Sequence, residues 1–284
     1  MVPAPGLPRR DCRAVNLEDR LETLEARVVR CRLCPRLVAH REAVARAKRR
    51  AYRDDVYWGL PVPGFGDARA RLVLVGLAPA AHGGNRTGRM FTGDRSGDWL
   101  YEALEAHGFA NQAASRARDD GLVLRDAFVT AAARCAPPDN RPTRDEFARC
   151  RPFLVGEMRL LVRARVVLAL GALAWEEFLR AYADLGGVPL RPRPRHAHGA
   201  EVELPAWPGR PAGFVLLGSY HPSQQNTLTG RLTRPAFYSV FARARTLLDR
   251  ASAEPSPASA SPDRAGSPGR AAATRRRTRA GSTG

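Results

Sequence analysis

His82, Asn85, Arg86, Arg89, Phe91 and Asp94 crowd one short stretch of the chain, residues 71–94, RLVLVGLAPAAHGGNRTGRMFTGD. Together they offer a ring to stack on, amide and guanidinium donors, an imidazole and a carboxylate, a set able to hold a flat polar ligand and act on it. The stretch opens with an apolar run, residues 72–75, of the kind a buried parallel strand shows, and breaks at Gly76 into a loop rich in Gly, Pro and small residues. In open α/β sheets ligands gather beyond the carboxyl ends of strands, so this loop reads as the wall of a pocket. Two later stretches have the same character. RCAPPDNRP, residues 134–142, places Asn140 in a Pro-rich turn, where its amide can serve a ligand or merely form the turn. FVLLGSYHPS, residues 214–223, is a strand running into His221 and Ser223, followed by Gln224, Gln225, Asn226, Leu228 and Arg231.

The cysteines are a second set. Cys31 and Cys34 form a CxxC, Cys135 lies in the second loop, and Cys150 in the helix after it, while Cys12 stands apart near the start. If the N-terminal segment folds back on the sheet, four thiolates can meet around a metal centre, either zinc or an iron–sulfur cluster. Zinc sites usually draw ligands from two tight knuckles. Here the second pair is 15 positions apart, which favours the cluster. Unliganded, simply buried thiols are the remaining reading.

The elements that must position these groups follow from periodicity. Leu17, Leu21, Leu24 and Val28 recur at helical spacing, the CxxC interrupts, and a basic helical run continues to about residue 50. YWGLPVPGFGD is an aromatic, Pro/Gly-rich loop, and Trp99, Leu100, Ala103 and Leu104 predict a helix ending at Gly108. Further strands are expected at residues 127–129, 164–171 and 214–223. Thr143 with Glu146 forms a capping box for a helix, ALAWEEFLRAY forms another, and residues 233–249 form a last one with Thr233 as its cap. Strand and helix alternating at this spacing predict a parallel sheet sandwiched by helices in one domain, residues 17–250. Residues 1–16 and the Ala/Ser/Pro/Arg-rich residues 251–284 are too polar and aperiodic to pack and are expected to be disordered.

Formal net charge is +18, and residues 251–284 hold six Arg against Glu254 and Asp263, so most of the excess belongs to the folded part. Such a surface suits a polyanion, nucleic acid first and anionic membrane second, although an Arg/Ala-rich genome would also raise it. No apolar run nears the ~20 residues a membrane span needs, and the start does not resemble a secretory signal. A soluble, cytoplasmic protein near the nucleoid is expected.

GLAPAAHGGNRTGRMFTGD, the CAPPDNRP loop with its flanking cysteines, and HPSQQNTLTGRLT closely resemble the uracil-DNA glycosylase superfamily, specifically its family 5, the iron–sulfur type B enzymes. The resemblance covers about residues 25–247, with motifs and cysteine spacing in order. It implies a three-layer α/β/α sandwich around a four-stranded parallel sheet, and a 4Fe-4S cluster on Cys31, Cys34, Cys135 and Cys150. It further implies excision of uracil, and of deaminated bases such as hypoxanthine or xanthine, from DNA, and a monomer is expected. By the same resemblance Phe91 stacks on the extruded base and His221 donates to uracil O2, where negative charge grows as the bond breaks, with Asn140 as a further pocket group. Substrate contacts are expected from Gly76, Ala78, His82 and Phe91, and from Ser223, Gln225 and Arg231. One departure matters: where most of the superfamily has an acidic residue or Asn two positions after the motif's opening Gly, this chain has Ala78. Attention shifts to Asp94, either as a water-positioning carboxylate or as the cap of the next helix.

Two other classes remain at this stage. A non-catalytic DNA-binding module with a structural four-cysteine site would explain charge and cysteines, but not three polar loops at strand ends. A small-molecule α/β enzyme would explain the loops, yet GLAPAAHGG lacks the Walker Lys and the dinucleotide Gly spacing.

Overall fold

Four short strands, each buried almost throughout, form the centre of the molecule: β2 (Leu72–Gly76), β3 (Ala127–Ala131), β4 (Val166–Leu170) and β6 (Phe214–Ser219). Continuous apolar strands belong to parallel sheets covered on both faces. The structure, a computed structural model, describes residues 16–210 and 212–253. In it the four strands run parallel, and two antiparallel edges extend them: β1 (Phe65–Gly66) beside β3, and β5 (Glu201–Leu204) beside β6. The order is β1-β3-β2-β4-β6-β5, so the expected four-stranded sheet has six strands. The edges escaped the sequence reading because one has two residues and the other alternates Glu201 and Glu203 with Val202 and Leu204, without an apolar run.

Period-two alternation sorts the strand side chains into two cores. Leu72 and Leu74 pack with Leu100, Tyr101 and Leu104 of α4 (Arg95–Ala106) and with Phe237 and Phe241 of α8 (Arg234–Ala253). Val73 and Val75 face the opposite layer, where Leu154 and Met158 of α5 (Arg144–Leu160) and Trp175 and Phe178 of α6 (Ala172–Asp184) cover them. The result is the expected α/β/α sandwich. Because β3 and β4 flank β2 on opposite sides, the chain reverses its winding at β2, and the crevice beyond β2 is where such a sheet opens to ligands. The registers Gly76↔Ala131 and Leu170↔Ser219 set the loops after β2, β3 and β6 at one end of the sheet.

The N-terminal segment divides at the CxxC. Helix α1 (Leu17–Val29) packs through Leu21, Leu24 and Val28 into the α5 layer, and α2 (Pro35–Ala47) begins immediately after Cys34. Asn16 caps α1, whose first residue is Leu17, and α8 continues through Ala253, past the expected end at residue 250. The expectations for residues 1–15, with Cys12, and for residues 254–284 lie outside the described residues. Among the described residues no helix is long and apolar enough to cross a membrane.

The predicted capping box at the start of α5 is present: Thr143 Oγ1 accepts from Glu146 N at 3.2 Å, and Thr143 N donates back to Glu146 Oε2 at 2.7 Å. Arg36 of α2 grips the same carboxylate at 2.8 and 2.7 Å, so one cap also ties α2 to α5. Thr143→Ala is expected to lower unfolding free energy by about 1 kcal/mol, read as a lower urea midpoint at constant slope.

Candidate active site

A loop rich in glycine has few apolar side chains with which to anchor itself, and the loop after β2 is held by polar ones instead. Arg89, 3% exposed, donates to Asp120 Oδ1 at 2.7 Å, Ser115 Oγ at 2.7 Å, Thr92 Oγ1 at 3.0 Å and the Arg118 carbonyl at 3.1 Å. Asn85, fully buried in the short helix α3 (Gly84–Thr87), donates to the Arg41 carbonyl at 3.2 Å. Arg86 pairs with Asp55 at 2.7 Å, donates to the His82 carbonyl and lies over the Tyr52 ring. These three residues brace the loop from inside, which corrects the expectation that their donors are offered to a ligand.

Phe91 and His221 meet. Their ring centroids are 5.9 Å apart with planes inclined by 30°, although the residues come from the loops after β2 and β6. Gly76 makes this possible: a Cβ there would sit 2.7 Å from the Phe91 ring, too close for any side chain. Phe91 itself holds a left-handed backbone, φ 52°, a strained conformation for an aromatic residue and one that clusters at functional sites. Burial pushes the His221 pKa down to about 4, so at neutral pH its imidazole is uncharged and retains one N–H to donate.

Asp94 is the N-cap of α4, its Oδ1 accepting from Gly97 N at 3.0 Å. The capping reading is therefore correct, and it does not use up the carboxylate: Oδ2 lies against Gly83, close enough that any Cβ at that glycine would collide with it. Burial raises the Asp94 pKa, opposed by backbone donors at the helix start.

The remaining expected residues divide. Ala78 contributes a methyl group packed on Ala132, Ala133 and Phe147, and the bonds Ala132 N to Gly76 O and Ala133 N to Leu77 O, both 2.9 Å, zip the first two loops together. His82 Nδ1 meets the Tyr57 hydroxyl at 3.0 Å, a partner supplied by the aromatic loop and not foreseen. Asn140 lies on the second loop at the same end of the sheet, exposed, with φ 55°, and its amide makes no side-chain hydrogen bond among the described residues. Ser223 caps α7 (Gln224–Leu228), Gln225 is exposed on it, and Arg231 lies over the Tyr220 ring at 4.5 Å.

The cysteines do gather. Cys31, Cys34, Cys135 and Cys150 line one cavity with Leu37, Val38, Phe153 and Arg134, closed on one side by α2 and on the other by α5. Burial pushes the Cys135 and Cys150 thiols up to about 12, opposed chiefly by the Arg41 charge at Cys135 and the Arg134 charge at Cys150. Among the described residues no group of three or more His, Cys, Asp or Glu is disposed to hold a single metal ion.

A doubly wound sheet thus carries a stacked ring pair beyond the carboxyl ends of its central strands. A sequence profile described as the Uracil DNA glycosylase superfamily matches residues 63–245. The chain is 51% identical over 225 residues to the type-5 uracil-DNA glycosylase of Mycobacterium leprae, covering 79% of this chain and 94% of that protein. It is 47% identical over 234 residues to the type-5 enzyme of Thermus thermophilus, covering 82% and 99%. A type-4 uracil-DNA glycosylase of Pyrobaculum aerophilum is more distant, 32% identical over 166 residues covering 57% and 71%. The chain belongs to the uracil DNA glycosylase superfamily, and within it to the type-5 family.

His221 should leave a mark on stability. Unfolded, it takes up a proton near pH 6.5, whereas folded it does so only near 4. Between these values the unfolded chain binds more protons, so stability rises with pH across the window, is complete above it and is lost as pH falls through it. His221→Asn is expected to flatten this acid limb by up to about 3 kcal/mol, measured by urea unfolding across the window. An unaltered slope means His221 is not buried neutral.

Proposed function

We propose that the chain is a monofunctional DNA repair glycosylase that extrudes uracil, and other deaminated bases such as hypoxanthine or xanthine, and hydrolyses the N-glycosidic bond to leave an abasic site. The observation that carries this reading is the Phe91–His221 ring pair against Gly76, on a chain that belongs to a glycosylase family. Phe91 provides the face on which an extruded base stacks. His221 donates its N–H to a base oxygen as the base departs with negative charge. A neutral donor in a desolvated site favours that anion without first having to lose a proton. The free oxygen of Asp94 serves the sugar's growing positive charge or the incoming water, and the α4 amides hold its carboxylate in place. Asn140 offers its amide to a carbonyl or N–H of the base edge. With Ala78 in place of a polar group, the site relies more on holding the leaving anion than on activating water, which suits several bases in place of one.

DNA binds across the carboxyl end of the sheet. Ser223 and the α7 loop supply backbone and hydroxyl donors for phosphates, Arg231 adds charge, and His82 and Gln225 flank the mouth. Of the side chains on α7, Leu228 is apolar yet 69% exposed, the property of a wedge that fills the gap left by an extruded base. The enzyme works as a monomer in the cytoplasm, on the nucleoid.

Cys31, Cys34, Cys135 and Cys150 would hold a 4Fe-4S cluster. Two buried thiols and a neighbouring buried guanidinium suit a bound anionic group, and the 15 positions between Cys135 and Cys150 depart from the tight knuckles of zinc sites. Its contribution is structural, since base excision transfers no electrons. Cys34→Ser is expected to lose the brown colour and most soluble yield.

A labelled duplex with one uracil tests the activity. Strand breakage after alkali supports excision, whereas a shifted but intact strand would mean a binding module. His221→Ala is expected to lose about 100-fold or more in cleavage while still shifting the duplex, and Asp94→Ala to lose less on uracil than on hypoxanthine. Wild-type cleavage by both variants would refute the site.

A further inference from the structure

A cluster held by four cysteines would bring four thiolates into this cavity, and an arginine already lines it. Arg134, 1% exposed, lines the cysteine cavity, and its backbone N donates to Cys150 Sγ at 3.2 Å. One arm of its guanidinium, Nη2, donates to Glu157 Oε2 at 2.6 Å, and that oxygen also accepts from Thr130 Oγ1 at 2.6 Å. Glu157 is 2% exposed, so the pair is buried on both sides. The other two nitrogens, Nε and Nη1, are buried without a hydrogen-bond partner. Unpaired donors on a buried guanidinium are costly unless negative charge lies nearby to offset them. Arg41 repeats the pattern: it is fully buried on α2, one turn beyond the cavity-lining Leu37 and Val38, and its Nε also has no partner.

We propose that Arg134, seconded by Arg41, is the resident counter-cation of the four-cysteine centre, and that its charge holds the potential of the bound cluster up. The inference rests on the reading of that centre as a 4Fe-4S site. Glu157 then has a defined part: it anchors the guanidinium beside Cys150 and moderates its charge. An added electron makes a cluster more negative, so a nearby cation favours the reduced form and a nearby anion disfavours it.

The charge can be varied without moving the backbone. In anaerobically purified full-length protein, the midpoint potential of the cluster is read from its visible band during a mediated titration. The expected order, from highest to lowest, is Glu157→Gln, wild type, the double variant Arg134→Met with Glu157→Gln, then Arg134→Met alone. Each step is expected to change the reduced-to-oxidised ratio at fixed poise by about tenfold. Arg134→Lys should stay near wild type. If Arg134→Met fails to fold because it strands Glu157, Glu157→Gln and the double variant still decide the order. Equal potentials in a cluster-containing series overturn the role of Arg134 and leave the cluster reading standing. A wild-type protein without iron, sulfide or a visible band overturns both.

Discussion

Everything at the functional end of this molecule depends on a close approach at the end of one strand. Strand β2 finishes in a residue with no side chain, and an aromatic ring from its own loop lies on that bare backbone. The ring is then level with an imidazole from the loop after β6, two strands away. Parallel strands in aligned register are what bring the two loops to the same height, and the alternating Leu and Val residues of β2 hold that register from both faces. A one-residue slip would turn the core outward as well as dismantle the pocket. Packing and site geometry are thus one constraint.

A glycine-rich loop has little enthalpy of its own to resist collapse or fraying. Here rigidity comes from buried polar groups: Arg89 with Asp120, Ser115 and Thr92, Asn85 with the Arg41 carbonyl, and Arg86 with Asp55. Removing one partner of the Arg89–Asp120 pair, the most buried of these, costs about 3–5 kcal/mol, far more than a solvated charge would. The three residues therefore position the pocket wall by being unavailable to anything outside it.

That explains the uneven legibility of the chain. The four central strands, the capping box at Thr143 and Glu146, the helix start at Thr233 and the gathering of four cysteines were all readable, because apolar period, cap chemistry and cysteine spacing are local signals. Whether a loop arginine points out or in is not local: Arg86 and Arg89 depend on Asp55 and Asp120, 31 residues distant in each case. Asp94 showed how two readings can share one side chain, one oxygen capping α4 while the other borders Gly83. Asn140 is the residue least prepared for its expected part, exposed on a left-handed turn, and the Pro-rich sequence around it signals the turn more strongly than the ligand.

Distance does not separate the cysteine cavity from the pocket. Cys34 is the residue from which α2 begins, and two turns along that helix the guanidinium of Arg41 donates to the Gly59 carbonyl, while the Arg41 carbonyl accepts from buried Asn85. Gly59 N in turn donates to the Asn85 carbonyl at 3.0 Å. The aromatic loop, the braced glycine-rich loop and the first cysteine pair are therefore fastened to one helix. The centre proposed on Cys31, Cys34, Cys135 and Cys150 would fix the start of that helix against α5, and through it the loop that carries Phe91. Such a group would do no chemistry on a base and would still bear on how that loop is held.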